Sequence, residues 1–429
     1  MARFGDLCVK DVGVLWELRV YYGWIVVAGV FVSQLFVTGF YTYGFSLLVV
    51  PIQTDLGVTR AEIMYGFSGA TLAGLVWSPI VGALVDRWSI RGLMAIGAAL
   101  FATSLWLMGQ SQNLWQFVAV FSVGISLSMA LLGAVTGTAL VSRWFTARRG
   151  QALGISAIGT SVGGIVIPML IEHWASSGDW RATLVNFSLM VWLLLLPVIL
   201  LSLRDRRDDE YEPNTDAATV AHGESTNVAA HDQADWTFSA IVRNRNYWSL
   251  GLCLGLLFSS QTAVMTNLPA YAVGLGVSAA DAARLVMLIA FTGMIGKLIF
   301  GYLADRINLK LGLWLSIGCS CVGVLILVLE PAYSLMVLAA IFIGLATGGM
   351  LPVWGSMIGA IFGLRSYGRV MGMMMPLISL LILPGPLVAG GMFDAFGSYA
   401  YSFLVFAGVL VAACITLIPL QLKGDSPAA

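Results

Sequence analysis

"GALVDRWSIRG" occupies residues 82–92, and a second version of it, "GYLADRINLKLG", occupies 301–312. Each copy lies between two apolar runs long enough to cross a bilayer. Their leading glycines are 219 positions apart. The echo continues outward. Gly150 and Gly154 in "RRGQALG" recur as Gly368 and Gly372 in "YGRVMG", at an offset of 218, and Gly124 recurs as Gly344, at 220. Landmarks repeated in one order at one spacing predict two related halves in the same membrane orientation.

Composition sets the class. The chain has 429 residues, 59% hydrophobic and 10% charged, where soluble domains carry roughly 25% charged residues. So much apolar surface fits an integral membrane protein, all-α. Formal net charge is zero, which offers nucleic acid no basic face. The first twenty residues are mixed polar with no apolar core, so no cleaved signal peptide is expected. Cys253, Cys319, Cys321 and Cys414 fall in apolar runs and Cys8 in the leading segment; all five read as small hydrophobes, with neither disulfides nor a metal site. No His, Cys or acidic constellation lies within the apolar runs, so neither an enzyme nor a cofactor is expected.

Twelve runs satisfy the spanning criterion, near 22–50, 62–84, 92–110, 115–141, 150–171, 182–201, 248–271, 284–304, 311–329, 334–362, 370–390 and 400–421. They divide the chain into an N-terminal six-helix bundle (1–201), a polar linker (202–247) and a C-terminal six-helix bundle (248–429). The linker is charged, Pro-interrupted and poor in aliphatics, and His222 and His231 read as solvated residues within it. With the N-terminus inside, eighteen lysines and arginines fall in inside segments and three (Arg60, Arg181, Arg284) outside. Both termini are therefore expected in the cytoplasm, in a multi-pass cell (inner or plasma) membrane.

That assignment leaves one basic residue of the 22 unplaced: Lys297, inside span 8. It lies eight residues before Asp305, about 12 Å along a helix, and a snorkelling stem recovers only part of that distance. A lysine at mid-membrane costs about 2.5–3.5 kcal/mol, so such a residue faces a partner or a wet cavity. No span interior holds an Asp or Glu, so the partner is expected from outside, as a small carboxylate. At an effective dielectric near 20 that pair gains about 4 kcal/mol at 4 Å, before desolvation.

Gly293 and Gly301, four residues either side of Lys297, leave room for a ligand or for close helix packing. Further mid-span polar residues are Thr38, Ser128, Thr160, Ser161, Gln261 and Ser379, with Tyr41, Tyr43 and Asn267 somewhat outward. Gln261 and Tyr43 rank next after the lysine as ligand contacts. Trp77, Phe291, Trp354, Met357 and Met375 are candidates for an apolar wall.

The repeated turn reads as a conformational latch built on Gly82, Asp86, Arg87, Gly301, Asp305 and Arg306, with Arg148 and Arg149 at the start of span 5. Asp86 and Asp305 sit at helix ends, where a carboxylate can accept from a neighbouring helix N-terminus.

The doubled G-x-x-x-D-R element resembles the hallmark of the major facilitator superfamily, and the resemblance covers nearly the whole chain. A narrower likeness is to the monocarboxylate transporters and oxalate/formate antiporters. "RWFTARRGQALGISAIGTSVGG" (143–164) is similar to their opening of span 5, "YYGWIVV" (21–27) to their entry to span 1, and "PGPLVAGGMFDAFGSYAYSF" (384–403) to their span 11 and following loop. "FYTYGFS" (40–46) sits where the family carries a functional lysine or tyrosine. The sequence departs from the pattern at Gly293 and Lys297, where animal-type members have Asp and Arg, and in span 11, which lacks the oxalate-type lysine. The resemblance implies a monomeric secondary active transporter working by alternating access. Its substrate would be a small organic anion such as a monocarboxylate, moved with protons or by exchange; from the lysine's own chemistry rather than from the resemblance, the proton is expected to travel on Lys297. An efflux pump for neutral or hydrophobic compounds and a transporter-like sensor signalling through the linker are the other readings.

Overall fold

The structure, a computed structural model, describes residues 21–175, 179–206 and 235–421. Twelve helices are long and apolar enough to span a membrane. Spans 1–6 are Tyr22–Leu56, Glu62–Val85, Ile90–Gly109, Leu114–Trp144, Arg149–Ala175 and Trp180–Ser202. Spans 7–12 are Arg245–Gly274, Ala280–Ala304, Leu309–Val328, Tyr333–Phe362, Tyr367–Phe396 and Ala400–Leu417. Among the described residues there is no strand. Span 7 starts at Arg245 rather than 248 and is preceded by a short helix, Phe238–Arg243. The readings of Cys8, His222 and His231 lie outside the described residues.

Local chemistry explains where most spans begin. Thr59, Ser89, Asn113, Asp179, Asn244, Ser278 and Asn308 cap spans 2, 3, 4, 6, 7, 8 and 9, each accepting from the first turn of its own helix. Such caps contribute about 0.5–2 kcal/mol each. Span 11 is different. Its own N-cap residue, Ser366, makes no side-chain cap. The free N–H groups of Gly368 and Arg369 instead donate to Asp86 at the end of span 2, both at 2.8 Å. At the repeat-related place Gly150 and Gln151 of span 5 donate to Asp305 at the end of span 8, at 2.5 and 2.9 Å. The two halves thus trade helix caps.

Glycine makes the trade possible. A Cβ on Gly301 would lie 2.7 Å from the carbonyl oxygen of Gly150, and one on Gly82 would overlap the carbonyl oxygen of Gly368. The same end carries a second repeated device. Arg91 donates to the carbonyl of Leu200 at 2.7 Å, and Lys310 to those of Ile418 and Leu420 at 2.8 and 3.1 Å. Each places a cation at the C-terminus of the last span of its half, where carbonyls are left over. Gly124 and Gly344 do not share a role: the first packs on Ser104 of span 3, the second on Thr292 of span 8.

The halves join through spans 2 and 11, spans 5 and 8, span 5 with span 10, and the lower part of span 4 with spans 10 and 11. Towards the opposite end, Phe45–Leu56, Leu114–Val120 and Pro384–Phe396 pair principally within their own halves. The molecule is closed at the end holding Asp86 and Asp305 and parted at the other.

Several spans are irregular. Span 1 passes through a π segment at Gly39–Gly44, and spans 4 and 6 through π segments at Phe121–Ile125 and Val191–Leu195. Span 4 also breaks at Gly133, whose φ/ψ of −81/−152° interrupts the helix before it resumes at Ala134. Thr136 and Ser33 donate to the carbonyls of Ala130 and Leu132 beside the break, both at 3.0 Å. These bonds supply the partners that a broken helix in a membrane requires.

Gly82→Val is expected to force spans 2 and 11 apart, since the clash is with backbone. Spin labels on the closed ends of these spans should show a longer separation. The melting temperature should fall by an amount matching roughly 1–3 kcal/mol of overpacking. An unchanged separation would show that the glycine contact does not set the approach.

Candidate functional site

A cavity of about 810 Å³ lies between the halves, lined by residues of spans 1, 2, 4, 5, 10 and 11. That volume falls in the range of small-molecule sites. Its polar groups are Gln34 and Thr38, the Tyr41 hydroxyl, Ser68, Thr71 and Ser78 on span 2, Ser126, Thr160 and Ser379. The rest of the wall is apolar, with Phe67, Leu75, Met129, Leu351 and Met375 among it. No Asp, Glu, Lys or Arg is on the wall. Gly133, Ala134 and Val135 also line it, so the resumed half of span 4 starts at the cavity with its N-terminal, partially positive end.

Lys297 is just behind the wall. It is 8% exposed, and its ammonium donates to Thr160 Oγ1 at 2.6 Å and Ser161 Oγ at 2.7 Å, across the seam between spans 8 and 5. Thr160 in turn donates to the carbonyl of Ala157 at 2.9 Å, and it also lines the cavity. Three N–H groups are available on an ammonium; two have partners among the described residues.

Thr38, Tyr41 and Ser379 line the cavity, and Ser161 holds the lysine. Tyr43 is not among the residues that line the cavity. Its ring lies on Gly164 of span 5, while Tyr41 stacks on Phe67 at 4.6 Å. Gln261 is core: it donates to Ser320 at 2.9 Å and accepts from Thr347 at 3.2 Å, so its amide is satisfied within the C-terminal half. Asn267 bonds its own helix at Ala263, at 2.8 Å. Of the expected apolar wall only Met375 takes part; Trp354 and Met357 are buried in the core, and Phe291 is exposed on the outer surface.

The space beside Gly293 and Gly301 is filled by neighbouring helices, Gly344 in the first case and Gly150 with Gly154 in the second. Among the described residues neither Arg87 nor Arg306 makes a bond between the halves. Both are exposed, and Arg306 lies over the ring of Tyr302 at 4.1 Å. Arg149 does reach across, its guanidinium against Gly359 of span 10. Arg148 forms part of the turn into span 5, its carbonyl accepting from Ala152 at 3.0 Å.

Gln34 and the serines and threonines of span 2 were missed by the reading from sequence. A signal was present: Ser68, Thr71 and Ser78 share a helix face with Leu75, at spacings of three and four. Among the described residues no cluster of three His, Cys, Asp or Glu could hold a metal.

Two six-helix bundles, joined at one end by traded caps and parted around an uncharged cavity, define a membrane transporter. The chain belongs to the Major Facilitator Superfamily, whose profile matches residues 30–333 and 285–428. Rat monocarboxylate transporter 12 is 22% identical over 413 residues, covering 92% of this chain and 85% of that protein. The agnestins efflux protein AgnL12 of Paecilomyces divaricatus is 24% identical over 336 residues, covering 77% and 71%. The solved structure of the human organic anion transporter MFSD10 (TETRAN) superposes with a TM-score of 0.71 at 18% identity, covering 92% and 99%, a likeness of fold.

The traded cap at Asp86 is sensitive to acid. Burial pushes its carboxyl from 3.8 up to about 6, against the hydrogen bonds from Arg369 and Gly368 and the charges of Arg143 and Arg369, which pull it down. Parting spans 2 and 11 returns the group to water and to its ordinary value. The closed form therefore binds the proton more tightly. Its contribution to closure is complete below about pH 4 and is lost as pH rises through about 6. Acidification from roughly pH 7 to 5 should enlarge the short-distance population between labels on spans 2 and 11, and Asp86→Asn should abolish that response. A pH response that survives in Asp86→Asn would assign it to another group.

Proposed function

We propose that this protein is a secondary active transporter of small organic anions, monocarboxylates in particular, and that Lys297 anchors the carboxylate. The observation that carries the reading is the buried Lys297 ammonium. Among the described residues it has hydroxyl partners and no acidic one, a third N–H to offer, and one partner, Thr160, that lines the cavity. The N-terminus of the resumed span 4 supports an anion from a second side. The relative named monocarboxylate transporter 12 and the neighbour titled an organic anion transporter are consistent with this substrate class.

Arg87, Arg91, Arg143, Arg306, Lys310 and Arg369 gather at the capped end, against Arg181 and Arg284 at the other. The capped end is on that ground cytoplasmic, and the cavity faces outward. Asp86 and Asp305 act as latches that release when the halves rock. The proton accompanies the carboxylate on Lys297, with anion exchange as the competing mode.

A second reading, efflux of neutral or hydrophobic compounds, draws on the cavity wall, which carries no ionised side chain, and on the efflux relative. In that case Lys297 is a gate contact between spans 5 and 8.

Lys297→Gln separates the two. For anion transport it should weaken monocarboxylate binding roughly 10- to 100-fold, the value of a charged hydrogen bond, as read by thermal shift on the purified protein. Retained binding that ignores whether a carboxylate is present would favour neutral efflux. In proteoliposomes Lys297→Arg should keep anion uptake and lose its response to a pH gradient. Full coupling in that variant would remove Lys297 as the proton carrier.

A further inference from the structure

The repeat makes Lys297 comparable with a residue in the other half. Gly154 of span 5 packs on the carbonyl of Lys297, and Gly372 of span 11 packs in the same manner on the carbonyl of Ser78 in span 2. The sequence offset agrees: 78 and 297 are 219 apart, as are Gly82 and Gly301. Ser161, which receives the ammonium, corresponds at an offset of 218 to Ser379. One seam thus has a lysine reaching across to a serine. The other has serines at both equivalent positions, and no hydrogen bond joins them.

Two consequences are visible. The cavity lies on the side of the short residue: its wall draws heavily on spans 2 and 11, and span 8 contributes nothing to it. In addition, both serine hydroxyls are left over. Serines and threonines in spans commonly bond a carbonyl of the preceding turn, as Thr71, Ser128 and Thr160 do here. Ser78 and Ser379 line the cavity, and among the described residues neither hydroxyl has a hydrogen-bond partner. Pro79 adds an acceptor beside them. Lacking an N–H, it leaves the carbonyl of Leu75, another wall residue, without its helical donor.

We propose that Ser78 and Ser379 form an uncharged polar subsite at the span 2–span 11 seam, which hydrogen-bonds a hydroxyl or amide at the end of the substrate remote from its carboxylate. The substrate class this defines is an amphipathic monocarboxylate, polar at both ends and apolar between. The apolar middle lies along Leu75, Met129 and Met375. The proposal rests on the reading of Lys297 as the carboxylate anchor, and it turns a general preference for monocarboxylates into a preference for ones substituted at the far end.

The test compares straight-chain alkanoates with their ω-hydroxy counterparts over a series of chain lengths, by thermal-shift titration of the purified full-length protein. Wild type, Ser78→Ala, Ser379→Ala, the double alanine variant and Lys297→Gln are measured side by side. At the best-fitting length, wild type should bind the ω-hydroxy acid roughly threefold to tenfold more tightly than the plain acid, the value of one neutral hydrogen bond. The double variant should lose that preference and keep its affinity for the plain acid, which also shows that it is folded.

No preference at any length in wild type would overturn the subsite. So would a preference that persists in the double variant, or an equal loss for both acids. Lys297→Gln reports separately. If it binds both acids as wild type does while the double variant still levels them, the anchor reading fails and the serine subsite stands.

Discussion

Four N–H groups at the start of any helix have no partner within it, and near a membrane they have few partners elsewhere. Most spans here meet this constraint locally, with a Ser, Thr, Asn or Asp at the cap. Spans 5 and 11 meet it with a carboxylate from the other half. The rest of the closed seam depends on that choice. The caps form only if the helix starts come within hydrogen-bond distance of the ends of spans 2 and 8, and this proximity requires glycine at 82, 150, 154, 301, 368 and 372. Carboxylate and glycines are therefore one device written twice, and the cavity is the space that remains where the device stops.

The two copies hold equivalent parts of the fold together but do not finish alike. Beyond the glycines one seam ends in an ammonium bonded to two hydroxyls, the other in hydroxyls that have no partner among the described residues. A nearly symmetric scaffold thereby acquires a charged side and a neutral side. The charge is not on the wall itself. Thr160 stands between, which keeps the ammonium out of water and within reach of a ligand that can bond through or past that hydroxyl.

The fold was legible in the sequence because its determinants are local or periodic. Apolar run length gave the spans, and the constant offset gave the halves. The carboxylates at the span ends pointed to capping, though not to which helix start each would meet. The site was legible where burial conflicts with chemistry, as at Lys297, and poorly legible elsewhere. Gln261 and Asn267 are as polar as Gln34, and nothing in a single sequence says that the first two find partners inside their own half. Tyr43 and Tyr41 differ by two positions on an irregular stretch of span 1, and only the packing decides which of them turns to the gap. Gly293 and Gly301 read equally as room for a ligand and room for a helix, and helices took it.

The break in span 4 has a consequence of its own. Above Gly133 the helix is tied to span 2, where Ser122 and Ser126 donate to the carbonyls of Gly66 and Ala70 at 3.2 and 2.8 Å. Below it the resumed segment packs mainly on spans 1, 2 and 5 of its own half and also touches spans 10 and 11 of the other. The peptide that lines the cavity is thus also the joint between two rods of one span, the second of which touches both halves. The break therefore sets a cavity-lining peptide at the head of the one segment of span 4 that also meets the opposite half, so the cavity and part of the closed seam share a single piece of backbone.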